Sequence, residues 1–522
     1  MSYQSPFPAV DIPVAPLHDF VFEHADRWPD KPALIDGPTG RTITYAQLRG
    51  AVTRVAAGLA GRGFRKGDVF AIYSPNLPEY AVAFHGVSTA GGVNTTMNPL
   101  YTADEVQRQL KDSGAKFLLT IPQFLEKAKQ AVAGTAVTEV FVFGEADGAT
   151  PFAALMTDGG APAVDLDPKE DLVALPYSSG TTGLPKGVML THHNLVSNLV
   201  QAQAVEHISD KEVLIGILPF YHIYGMVVIM NSAIRNGATI VTMPRFDLEQ
   251  FLALHQTHGV TMGYLVPPIV LALAKHPLVD NYDLSKLESV MCGAAPLPES
   301  VATAAATRND IVVRQGYGLT ETSPVTHVHP RNRLPIKIAS VGPAMPNTEY
   351  RIVDIATGED AAGGGLGEIW VRGPQVMKGY LNNPDATGDM IDGDGWLHTG
   401  DIGKADEEGY LYVVDRMKEL IKYKGLQVAP AEVEAAVQSH PAVADAAVIP
   451  SPDEEAGEVP KAFVVLREGA TATANEIMAH VAGQLAPHKK VRKVEFIDAI
   501  PKVPSGKILR RELVERERAA QG

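Results

Sequence analysis

Along roughly the first 270 residues, stretches with apolar side chains at every third or fourth position alternate with short continuous apolar runs. That alternation predicts layered α/β structure on largely parallel sheets. Thr44 and Gln47 are spaced as a capping box ahead of Leu48, Val52, Val55 and Leu59, and after a turn over 63–68 the run 69–73 reads as a strand. Thr102 and Glu105 repeat the device: the helix they open runs to Ser113, Gly114 stops it, and 116–121 is the next strand. From 349 to 371 the apolar runs shorten and Gly-rich turns such as 363–367 separate them, which predicts a small antiparallel unit. The C-terminal part has its own plan: helix 430–439, strands 444–449 and 461–466, helix 474–485, strand 494–497 and helix 507–516. The expected fold class is α/β, with layered α/β subdomains and a small β unit over 1–417 and a small α+β domain over 418–522.

The stretch 213–234 contains no Lys, Arg, Asp or Glu and approaches the ~20 residues that a membrane-spanning helix needs. Pro219, His222, Gly225, Asn231 and two tyrosines interrupt it, so a buried strand, turn and helix are expected instead.

Composition and charge sharpen this division. At 522 residues the chain is long enough for two or more units, and 45% hydrophobic with 20% charged residues excludes wholesale disorder. Lys and Arg number 45 against 60 Asp and Glu, net -15, yet from Lys418 onward the two signs balance at 15 each. The excess negative charge therefore lies before 418, and it opposes non-specific attraction to nucleic acid or an anionic membrane. Any phosphate must be caught locally. Cys292 is the single cysteine, which excludes an intrachain disulfide and suits a reducing cytosol. The first basic residue is Arg27, so the charged start of a signal peptide is missing and a cytoplasmic protein is expected. His192 with His193, and His327 with His329, lack a third partner at zinc-like spacing, so no structural metal site is expected.

The most informative stretch is Tyr177-Ser178-Ser179-Gly180-Thr181-Thr182-Gly183-Leu184-Pro185-Lys186-Gly187. Glycines let backbone approach a phosphate, hydroxyls donate to its oxygens, and the lysine adds a point charge. It reads as a phosphate loop, without the Gly-Lys-Ser/Thr ending of a Walker A motif.

This segment resembles the signature loop of the adenylate-forming superfamily: acyl- and aryl-CoA synthetases, firefly luciferase and the adenylation domains of peptide synthetases. Further matching stretches follow in order at 315–321, 367–373, 396–401, 415–419, 422–425 and 504–507. Phe220 to Gly225, Gly293 to Leu297 and Gly425 to Glu432 are similar to the bacterial 4-coumarate/cinnamate CoA ligases. Trp370 stands where plant ligases carry cysteine, so cysteine chemistry is not expected there.

The resemblance implies an ATP- and Mg²⁺-dependent acid:CoA ligase. A carboxylate attacks the α-phosphorus of ATP, pyrophosphate leaves, and the CoA thiolate then displaces AMP from the acyl adenylate. By that resemblance Ser178, Ser179, Gly180, Thr181, Thr182, Gly183 and Lys186 hold the outgoing phosphates, Thr320 meets the α-phosphate and Glu321 helps hold Mg²⁺. Ala294, Ala295, Gln315, Gly316 and Tyr317 lie along the nucleotide, Asp401 and Arg416 serve the ribose, and Lys507 bridges substrate carboxylate and α-phosphate. Lys418 is the hinge about which a mobile small domain swings, Lys422 and Gln427 enter for the second step, and Lys424 and Gly425 line the pantetheine passage. The acyl pocket is expected from His222, Tyr224, Ala294, Gly316, Gly318, Pro324, Val325 and Val328, the small side chains leaving a flat slot and Tyr224 packing on, or hydrogen-bonding to, an aryl-propenoate ring. ATP, an aromatic acid and CoA are the expected partners, with no nucleic acid, membrane span or obligatory protein partner. A medium-chain fatty acid, transfer to a carrier protein, luciferase-like oxygenation and simple nucleotide binding remain the alternatives.

Overall fold

The capping signals are realised in a computed structural model that describes residues 2–178, 185–331, 336–417, 419–423, 426–453, 456–503 and 506–521. The Thr44 hydroxyl accepts from the Gln47 amide at 3.3 Å, and the Gln47 side chain accepts from the Thr44 amide at 2.9 Å, opening the helix Tyr45–Gly61. Thr102 and Glu105 do the same for Ala103–Ser113, which Gly114 ends at φ 63°. Left-handed backbone at that position favours glycine.

Four sheets form among the described residues. In an eight-stranded sheet, Val213–Gly216, Met262–Leu265, Ser289–Cys292 and Val312–Gly318 run parallel, so their carboxyl ends emerge on one side. A nine-stranded sheet holds Val69–Ile72 and Val93–Thr96 in parallel at its centre and the antiparallel pair Tyr177–Ser178 and Lys186–Thr191 at one edge. One apolar cluster runs through both sheets. Glu349–Val353, Gly367–Arg372, Leu397–Ala405 and Leu411–Arg416 form the expected antiparallel unit.

Two local details differ from expectation. Over 213–234 the strand Val213–Gly216 and a turn lead into Tyr224–Asn231, which winds as a π-helix before Ser232–Arg235 resume α geometry. Such wide turns redirect side chains, often at functional sites. Gly225 permits the approach, because a Cβ there would lie 2.3 Å from the Pro219 carbonyl oxygen. No described helix is long and apolar enough to cross a membrane. The last helix spans Arg510–Gln521 instead of starting at 507. The Lys507 carbonyl accepts from the Val503 amide at 3.0 Å, and Lys502 bridges to Ile508, so Lys507 sits in a tight turn ahead of the helix.

The fourth sheet is built from Ile421–Tyr423, Leu426–Val428, Val443–Asp453, Gly457–Leu466 and Lys493–Phe496. Val428, Val433, Val437, Val448, Val464, Ile477 and Val481 pack a core of its own. Where it meets the rest of the molecule, Ile402, Leu420 and Ala429 make a small apolar contact. There the Asp415 carboxylate accepts from the Ala431 amide at 2.7 Å, in the first turn of the helix Pro430–Gln438.

Candidate active site

Loops leaving the carboxyl ends of both parallel sheets enclose a cavity of about 1000 Å³, the usual position for a ligand site in open α/β folds. Of the residues singled out from the sequence, Ser178, Lys186, His222, Tyr224, Ala294, Gly316, Tyr317, Gly318, Thr320, Glu321, Pro324, Val325, Val328, Arg416 and Lys507 line it. They span 330 positions of chain and converge on one space.

At the polar end, strand pairing sets Ser178 opposite Lys186. The Ser178 hydroxyl donates to Glu321 Oε1 at 2.7 Å, and the Tyr380 hydroxyl donates to the same oxygen at 2.8 Å. Tyr380 comes from a two-residue strand paired with Lys186–Thr191, and its ring centroid lies 4.9 Å from Lys186 Nζ. One tyrosine that no motif indicated thus braces both the cation and the carboxylate. Burial, and then Glu321, push its phenol well up, so it stays a donor.

Arg416 Nε meets Asp401 Oδ1 at 3.1 Å, and the Tyr317 hydroxyl donates to Asp401 Oδ2 at 2.6 Å. Asp401 therefore stands behind two wall residues, with both oxygens engaged. Burial raises its carboxyl and Arg416 opposes that rise. Gln315 is likewise behind the wall: it donates to the Ile338 carbonyl at 2.6 Å and spans to Leu297, bracing the loop that carries Ala294 and Ala295. Ala294 has a left-handed φ of 69°, a strained backbone for a non-glycine residue.

Toward the apolar end, the Tyr224 hydroxyl donates to the Met291 carbonyl at 3.2 Å, and its ring meets Tyr264 edge-on at 6.3 Å between centroids. Gly318 is on the cavity wall, and a Cβ there would lie 2.0 Å from the Pro324 carbonyl oxygen, so crossing backbone also requires the glycine. At Gly316 a Cβ would face Met291 Sδ at 3.2 Å. His222 Nδ1 accepts from the Tyr224 amide at 3.3 Å, and burial, with the Lys507 cation behind it, lowers the imidazole to about 4. Lys507 is itself lowered, by burial first and by Arg416 second, while Glu419 and Asp401 act the other way. Arg510, three residues on, binds Glu419 and Glu434 and ties the start of the last helix to the junction segment.

The AMP-binding enzyme model matches residues 21–381, and the AMP-binding enzyme C-terminal domain matches 432–507. This chain belongs to the AMP-binding enzyme family. It is 46% identical to 4-coumarate–CoA ligase 5 of Oryza sativa subsp. japonica, over 98% of this chain and 96% of that relative. ATP-bound MatB from Rhodopseudomonas palustris is 31% identical and superposes at a TM-score of 0.88, covering 97% of this chain and 99% of MatB. The apo form of the same protein, with the same identity and coverage, superposes at 0.78. The arrangement of this AMP-binding enzyme is therefore closer to the ATP-bound form.

In that arrangement Lys507 reaches the cavity of the AMP-binding enzyme, whereas Lys422 is exposed and away from the cavity walls. Lys422 pairs with Gln427 across a short hairpin that the sequence pattern did not reveal. Ala295 also stays off the walls. Ser179, Gly180, Thr181, Thr182, Gly183, Lys418, Lys424 and Gly425 lie outside the described residues.

Proposed function

We propose that this enzyme activates an aryl-propenoic acid of the 4-coumarate or cinnamate type with ATP and passes the acyl group to CoA. The observation that carries the reading is the 46% identity, over nearly the whole length of both chains, to a 4-coumarate–CoA ligase. The cavity supports it, because a cationic, hydroxyl-bearing end continues into an apolar end framed by aromatic rings.

In the first step a substrate carboxylate oxygen attacks the α-phosphorus of ATP and pyrophosphate departs. Catalysis is then mainly positioning and charge neutralisation. Lys507 bridges carboxylate and α-phosphate, Lys186 with the hydroxyls of Ser178 and its neighbours meets the leaving phosphates, and Thr320 meets the α-phosphate. Arg416 faces the ribose, with Asp401 orienting it. His222, held neutral, separates the reacting carboxylate from the apolar pocket without adding a second cation. Glu321 fits a magnesium ion carried in with ATP: its two donors both meet Oε1, and magnesium usually takes one or two carboxylates, with phosphate and water oxygens completing the shell. Among the described residues no group of three or more His, Cys, Asp or Glu converges as a cage. When bound, the ion neutralises phosphate charge.

In the second step the CoA thiolate attacks the acyl carbon and AMP leaves. We assign 1–417 to the large lobe and 418–522 to a small lobe that turns about Lys418, withdrawing Lys507 and presenting Lys422, Gln427, Lys424 and Gly425. The enzyme is expected in the cytoplasm. Pyrophosphate release from ATP, compared with 4-coumarate, cinnamate and octanoate, tests the reading, with mass detection of the thioester after CoA is added. Turnover of the aryl acids to CoA thioesters is expected; turnover with octanoate alone would keep the two steps and overturn the substrate.

A further inference from the structure

The apolar end of the cavity terminates in charge. Glu206, on the helix His192–Glu206, is 4% exposed and nevertheless contributes to the cavity wall beside Tyr264, Ala202 and Val228. Its Oε1 accepts from Arg314 NH1 at 2.6 Å, while Oε2 accepts from Arg314 NH2 at 3.0 Å and from the Tyr264 hydroxyl at 3.3 Å. Arg314 is fully buried, and its other donors go to the Ser289 hydroxyl and the His329 carbonyl. The guanidinium is thus wholly consumed inside the protein, and the carboxylate is the partner left facing the cavity.

Burying an ion pair is costly, and packing alone does not demand one at the end of an apolar pocket. A carboxylate is an acceptor only, so the ligand group that suits it is a hydroxyl donor. We propose that Glu206 is the specificity residue that accepts a hydrogen bond from the ring hydroxyl of a hydroxylated aryl-propenoic acid. Arg314 and Tyr264 hold the carboxylate in place, and Tyr224, whose own hydroxyl is engaged with Met291, flanks the ring. The proposal rests on the aryl-propenoate reading above and narrows it to acids with a donor at the far end of the ring. Two consequences follow: the unsubstituted ring leaves the acceptor without its partner, and a methoxyl in place of the hydroxyl brings an acceptor against an acceptor.

The test compares kcat/KM for 4-coumarate and for cinnamate, a ratio that does not depend on how much enzyme is folded. In Glu206→Gln the ratio is expected to fall about tenfold, the scale of a hydrogen bond to a charged group. An unchanged ratio overturns the proposal; a parent enzyme that turns over neither acid overturns the aryl-propenoate reading on which it stands. Should the variant not fold, the parent enzyme decides by absorbance. With ATP and no CoA, the bound 4-coumaroyl phenol, placed against a carboxylate, must keep its neutral spectrum at a pH where free 4-coumarate already shows the phenolate band. Ionisation of the bound phenol at or below the pH of the free acid overturns the proposal.

Discussion

Tyr380 fixes two opposite charges through one side chain, its ring against Lys186 and its hydroxyl on Glu321. Tyr380→Phe keeps the ring and deletes the hydrogen bond. At about 1 kcal/mol for such a bond, the KM for MgATP should rise about fivefold, as read from ATP titrations at saturating acid; an unaltered KM would mean that Glu321 needs no brace. Single residues were legible in the sequence where they sit inside contiguous motifs, as Lys186, Thr320, Glu321 and Lys507 do. Tyr380 and Glu206 were not. Their partners lie 59 and 108 positions away, and no local pattern announces a contact that only the packed sheets create.

Among the elements, the helices opened by Thr44 and Thr102 were legible because a capping box is a local device with all its atoms within four residues. The π-wound segment Tyr224–Asn231 was not, since its winding answers to the Pro219 turn packed against Gly225. The junction is held by Asp415, whose carboxylate accepts from the Ala431 and Arg416 amides. Burial pushes its carboxyl up to about 6, with Arg510 pulling the other way. A carboxyl raised on folding favours the native state below its unfolded pKa, and that advantage is lost as pH rises through the folded one. The stability of Asp415→Asn relative to the parent should therefore improve by up to about 3 kcal/mol between about pH 4 and pH 6, then level off. Urea unfolding across that range checks it, and a pH-independent difference would contradict the buried charge.

At the scale of the whole molecule, a separate C-terminal core, a narrow apolar junction and a lysine that crosses into the large cavity describe two lobes of one site. Lys507→Ala should abolish pyrophosphate release yet leave thioester formation from supplied 4-coumaroyl adenylate largely intact; equal loss of both reactions would contradict the division of labour. Acid sensitivity is also a property of the assembled fold. Burial lowers His85, His192 and His327 to about 3 and His255 and His329 to about 4. Because the unfolded chain takes up these protons at about 6.5, their contribution is complete above that pH and is lost as pH falls toward the native values. The melting temperature should fall steadily below about pH 6.5, and a flat profile down to about pH 4.5 would mean that these rings are protonated in the fold. The layered α/β plan with largely parallel strands was legible as alternation of patterns, whereas the strand order of each sheet and the placement of Lys507 ahead of its helix were not.

In the proposed mechanism one cavity makes an acyl adenylate and is then rebuilt to pass the acyl group to a thiol. A single-turnover experiment with enzyme in excess over 4-coumarate, with MgATP and without CoA, tests it most directly. Enzyme-bound 4-coumaroyl-AMP should accumulate with one pyrophosphate per acyl group, and adding CoA should convert it to the thioester with release of AMP. Thioester formation accompanied by ADP and inorganic phosphate, or with no adenylate preceding it, would contradict the account.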